Sequence, residues 1–155
     1  MKKLTIAVAA VAGLAAFATV AISAEDLAKT VAERREMMKE TVRPNAKLGG
    51  DMVKGKVPFD AAKAEEAMAA ISKVPEKYVT LFPKGSEYGK IEDSEAAPEI
   101  WEDFDGFKAV AKKLKDASAK AASAAKQGKG TFTAAFKSMT KVCKECHKKY
   151  RVKED

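Results

Sequence analysis

The stretch TFTAAFKSMTKVCKECHKKY, residues 131–150, decides the fold. Phe132, Phe136, Met139, Cys143, Cys146 and Tyr150 follow one another at spacings of 4, 3, 4, 3 and 4. A helix turns once in about 3.6 residues, so this spacing gathers all six side chains onto one apolar seam. Such a seam belongs to a helix packed in a bundle, and it carries both cysteines toward the buried side. Thr131 can cap its start, and the helix is expected over 131–152.

Three more helical patterns precede it. Leu27, Val31, Met38 and Val42 mark one face of a helix over 25–50, which Pro44 should kink or end, because proline lacks an N–H and crowds the preceding turn. Asp60 suits the cap of a second helix over 60–75, with the stripe Ala64, Ala67, Met68, Ile71 and Val74, and Pro75 should stop or bend it. Pro98 opens a third helix over 98–127, whose broad apolar face includes Trp101, Phe104, Phe107, Ala111 and Leu114. Residues 76–98 form a long connection, expected to cross one end of the fold or lie against the active region. No stretch alternates as a strand would. Four helices with three connections predict an all-α, antiparallel four-helix bundle.

The first 23 residues differ from the rest. Lys2 and Lys3 precede 19 uncharged residues, Leu4–Ile22, and charge resumes at Glu25. A short basic start, an apolar core and the small residues Ala21 and Ser23 read as an export signal, cut after Ser23 or after Ala24. The run is just long enough to span a bilayer, so an uncleaved anchor is the alternative. Residues 24–155 then form the mature domain, in the periplasm. The chain has 29 basic and 22 acidic side chains, a formal charge of +7. Two lysines leave with the leader, so 27 against 22 gives +5. With one His and two Cys, any catalytic triad must use that His, and one chain cannot assemble a four-ligand Cys/His zinc site.

Cys143-Lys-Glu-Cys146-His147 has the C-x-x-C-H spacing of covalent c-type haem attachment. Two thiols three residues apart share a helix face, and each can add across one vinyl group. His147 lies next to them and can reach the iron. A redox dithiol works best at a helix N-terminus, whereas this pair sits about twelve residues into the helical pattern. A zinc site on Cys143, Cys146, His147 and a carboxylate would be strained. The expected cofactor is one covalent haem c. With no second His, Met38 is the favoured sixth ligand, because it shares the inward stripe with Val31 and Val42. The rival is a vacant distal side with Met38 merely adjacent.

At these residues the chain resembles the class II cytochromes c, that is, cytochrome c′ and its low-spin, methionine-ligated relatives. The resemblance rests on Cys143-Lys-Glu-Cys-His-Lys-Lys-Tyr-Arg151, on Lys54-Gly-Lys-Val-Pro-Phe-Asp60 and on Ala97-Pro-Glu-Ile-Trp101. It implies an exported four-helix bundle with His147 as proximal ligand and Cys143 and Cys146 as thioether residues. It places Arg34 near the haem propionates and Met38 at the distal position, with Met37 as its neighbouring rival. It also implies a homodimer through the first two helices.

The expected function is one-electron transfer with His147 and Met38 both on the iron. The alternative is a five-coordinate haem that binds NO or CO. Enzymatic turnover is not expected: no distal His is available, and Arg34 is the one obvious polar candidate on that side. Lys141, Lys144, Lys148, Lys149, Arg151 and Lys153 surround Glu145. They suit either steering of an acidic redox partner or a solvated helix face. Nucleic acid is not an expected partner, and neither is stable membrane insertion once the leader is gone.

Overall fold

A computed structural model describes residues 22–152. The expected leader, apart from its last two residues, lies outside them, as does Lys153 of the expected basic face. The first rod begins with α1, Ala24–Glu36, where the Ser23 hydroxyl accepts from the Asp26 N–H. It continues through a six-residue π-turn, Met37–Val42, and then α2, Arg43–Val53. Pro44 therefore does not end the rod. It follows the wide turn directly, and that turn relieves the crowding its ring would impose on the carbonyl four residues back. The rod also runs past residue 50, because Gly49 and Gly50 lie inside α2. A Cβ on Gly49 would come within 2.6 Å of the Phe136 ring, so glycine lets α2 approach that ring.

Helix α3 spans Ala61–Tyr78, capped by Asp60, whose carboxylate accepts from the Lys63 N–H at 3.0 Å. Such a cap is worth about 1 kcal/mol. Pro75 lies within α3 instead of stopping it. Packing supports the last turn: the Tyr78 ring meets Phe82 at 5.2 Å and Phe107 at 6.5 Å between centroids.

The expected third helix is two pieces, α4, Glu99–Glu102, and α5, Phe104–Ala125. Asp103 breaks them apart. Its backbone is non-helical and its carboxylate accepts from the Gly106 N–H at 2.9 Å, capping α5. Any Cβ on Gly106 would collide with that carboxylate. Helix α6, Lys129–Tyr150, starts earlier than expected, at Gly128, whose φ of 103° only glycine adopts readily. Thr131 is already within its first turn.

These rods form an antiparallel four-helix bundle. Helix α3 packs along α5, α5 along α6, and α2 along α3, whereas α2 meets α6 more sparsely. The interior has two parts. One is built from Met52, Met68, Ile71, Phe132, Phe136 and Met139 with the small alanines of α3 and α5. The other holds Leu81, Phe82, Ile100, Phe107, Val110 and Tyr150, with Met37, Tyr78 and Cys146 packed against it. The connection 79–98 covers this second part. It is tied to the end of α6 by the Ala97 N–H to Tyr150 carbonyl bond, 3.2 Å, and the Val152 N–H to Glu95 carbonyl bond, 2.9 Å. Among the described residues, no helix is long and apolar enough to cross a membrane.

Candidate functional site

The last two turns of α6 carry Cys143, Cys146 and His147; Cys146 packs against the second part of the interior, whereas His147 lies exposed beside it. Both thiols are free and half-buried. Burial raises the Cys143 thiol above its ordinary value. Burial, then the neighbouring Cys143 and Glu145, push Cys146 up to about 11. Near neutral pH both are S–H groups. A thiolate-based redox or zinc site needs the opposite shift. His147 keeps an exposed edge, yet desolvation, followed by the positive charge of Arg151, lowers its pKa against a smaller opposing effect of Glu95. Its imidazole is neutral near pH 7 and offers a nitrogen lone pair to a metal.

Cys146 lines a narrow apolar cleft between the helices, with a volume of only about 20 Å³. Met38 from the π-turn, Pro75 and Tyr78 from α3, and Phe107 and Leu114 from α5 line it too. Burial raises the Tyr78 phenol to about 12, so its hydroxyl stays protonated. The structure thus brings Met38 and Cys146 to one cavity. Met37 packs against the aromatic cluster beside it. Tyr78 and Pro75 escaped the sequence reading because Pro75 looked like a stop. The α3 stripe continued through Val74 reaches Tyr78 one turn later.

Arg34 is 3% exposed and serves the long connection. Its Nη1 donates to the Leu81 carbonyl at 3.2 Å and to Ser86 Oγ at 3.0 Å. Its Nη2 donates to the Ser86 carbonyl at 2.7 Å and to Ser94 Oγ at 2.5 Å. Its guanidinium also sits 4.6 Å from the Phe82 ring centre. These contacts spend all four hydrogens of the two terminal nitrogens. Burial lowers its pKa, but an arginine stays charged at any ordinary pH.

The basic face around the motif is partly neutralised. Lys149 bonds Asp103 at 2.6 Å, Arg151 bonds Glu95 at 2.6 Å, and Lys113 bonds Glu145 at 2.9 Å. Lys141, Lys144 and Lys148 are exposed.

Two thiols on one helix face, a neutral imidazole beside them and an apolar cleft at Cys146 are the donor set of a helical-bundle c-type cytochrome. The family model for cytochrome c′ matches residues 29–151, so the chain belongs to that family. It is 40% identical to cytochrome c-556 of Agrobacterium fabrum over 123 residues, covering 79% of this chain and 81% of that one. The solved structure of cytochrome c′ from Rhodopseudomonas palustris matches with a TM-score of 0.75 at 31% identity, covering 81% of this chain and 98% of the other. A variant of cytochrome c prime from Alcaligenes xylosoxidans, ferrous with bound NO, matches with a TM-score of 0.71 at 27% identity, covering 84% and 97%.

Members of this family carry one covalently bound c-type haem with iron, and they are electron or gas carriers rather than catalysts. The match corrects the expected His147/Met38 electron carrier. Cytochrome c′ proteins are five-coordinate, with histidine as the one axial ligand. A relative that binds NO needs an open position on its iron, which a bound thioether would fill.

Proposed function

We propose that this chain is a five-coordinate c-type cytochrome that binds NO or CO on the distal side of its haem. Cys143 and Cys146 would hold the porphyrin through two thioethers, and His147 would be the only axial ligand. Bound there, the haem iron supplies a metal centre that cycles between ferrous and ferric states and accepts a diatomic ligand. The chain's own residues do the rest. The neutral His147 imidazole provides the lone pair. Pro75, Phe107 and Leu114 keep water from the cleft, which favours an uncharged ligand over an anion. Met38 is an apolar, non-ligating wall of that cleft. The observation that carries this reading is the NO-bound state of the Alcaligenes xylosoxidans relative, whose fold this chain shares.

Titration of the ferrous holoprotein with CO, followed by absorption, tests it. Saturable one-to-one binding is expected. A ferrous protein that takes up neither CO nor NO would refute it.

In this reading residues 1–23 are a cleaved leader and residues 24–155 the periplasmic domain. N-terminal sequencing should find Ala24 or Glu25 first. The exposed Lys141, Lys144 and Lys148 suit an acidic redox partner. The small-residue faces of the first two rods suit a homodimer, which sedimentation would reveal.

A further inference from the structure

Two anchors trap the wide turn Met37–Val42. Upstream, Arg34 is buried and held by four hydrogen bonds to Leu81, Ser86 and Ser94. Downstream, Gly49 lies against Phe136 so closely that α2 cannot rotate a larger residue past it. The extra residue of the turn therefore has nowhere to go. Pro44 helps to fix its location. In a straight helix the proline ring would press on the carbonyl four residues back, at Glu40, and a wider turn relieves that crowding. Within the turn, the Arg43 N–H bonds the Met38 carbonyl, five residues back. Such turns are rare and concentrate at functional sites.

This one lies on the cleft that Cys146 lines. Successive side chains on an α-helix point about 100° apart, so one of two neighbours normally faces away. Here both methionines are half-buried. Met38 lines the cleft, and Met37 packs against the cluster that holds Phe82, Phe107 and Tyr150.

We propose that Met37 is a positioning residue. Wedged into the aromatic cluster by the wide turn, it holds Met38 across the distal side and so limits how readily a small ligand enters. The inference rests on the gas-binding reading above.

The test measures CO affinity and the absorption spectrum of the ferrous CO form in haem-loaded variants. Met37→Ala should raise CO affinity about tenfold, in the same direction as Met38→Ala, and shift the spectrum likewise. The double variant should exceed Met38→Ala by little, because the two residues act as a unit. Met37→Leu refills the volume and should restore the parent affinity. Deleting the exposed Lys39 removes one residue from the turn and should reproduce the rise. It carries the comparison if Met37→Ala fails to load haem. Parent-like CO affinity in Met37→Ala, or an effect that simply adds to that of Met38→Ala, would overturn the proposal. A lowered thermal midpoint with unchanged CO affinity and spectrum would overturn it too. A parent that binds CO while Met37→Ala behaves identically fails the positioning role alone. A parent that binds neither gas fails the gas-binding reading and this role with it.

Discussion

Arg34 carries more hydrogen bonds to the long connection than any other side chain, and its sequence context gives no hint of them. Its acceptors lie 47 to 60 residues away, on a segment without secondary structure. The resemblance supplied a place for it beside a cofactor, whereas the structure spends its terminal nitrogens on Leu81, Ser86 and Ser94. Replacing it strands several buried acceptors at once. Arg34→Met should therefore lower stability by about 3 kcal/mol or more, read as a fall in the urea midpoint at unchanged slope. Little change would mean that the connection is held by its other bonds. The placing of Cys143, Cys146 and His147 together near the end of α6, in contrast, needs only a count of residues along a helix. The partner walls of the cleft were not legible in that way, since Tyr78 and Phe107 reach it only through the packing of α3 on α5.

At the scale of elements, the seam of α6 and the caps at Asp60 and Ser23 follow from local chemistry. The prolines misled because their cost depends on what surrounds them. Pro44 directly follows the wide turn that relieves its crowding, and Pro75 is overridden by the packing of Tyr78. The glycines of α2 make a sharp comparison. Gly50→Ala meets only ordinary contacts, the nearest at 3.7 Å, and should stabilise by up to about 1 kcal/mol through helix propensity. Gly49→Ala drives a Cβ against Phe136 and Met68 and should destabilise by about 1–2 kcal/mol despite the same propensity gain. Thermal midpoints moving in the same direction would refute the close approach of α2 to α6.

The break at Asp103 adds a pH dependence. The hydrogen bond from Lys149, then that from the Gly106 N–H, hold the Asp103 carboxyl below its usual range, and the bond to Asp103 raises Lys149. The contribution of Asp103 is complete above the unfolded carboxylate value, about 3.9, and fades as pH falls through the lower folded one. That of Lys149 is complete below its unfolded value, about 10.4, and fades as pH rises through the higher folded one. Asp103→Asn should thus lower the thermal midpoint near neutrality, and the gap to the parent should narrow as pH drops below about 4. A gap that stays constant in acid would remove the ion pair from the account.

Across the whole molecule, the interior divides between an end built on Phe132, Phe136 and small alanines and an aromatic end beside the narrow cleft. Composition and periodicity gave the bundle, but not this division, which depends on how the connection 79–98 folds back under Arg34. Ion pairs to Glu95, Asp103 and Glu145 trim the basic surface beside the motif, leaving Lys141, Lys144 and Lys148 as its outward charges. If an acidic protein exchanges electrons with the haem through this face, the rate should fall as salt rises, and more weakly so in a Lys141, Lys144, Lys148 triple glutamine variant. Rates that ignore salt would leave the face merely solvated.

The coordination of the iron is tested most directly by paramagnetic resonance of the ferric holoprotein near neutral pH. The account predicts a high-spin signal, from His147 alone, that survives Met38→Ala. A low-spin signal that turns high-spin in Met38→Ala would put the thioether on the iron and contradict it.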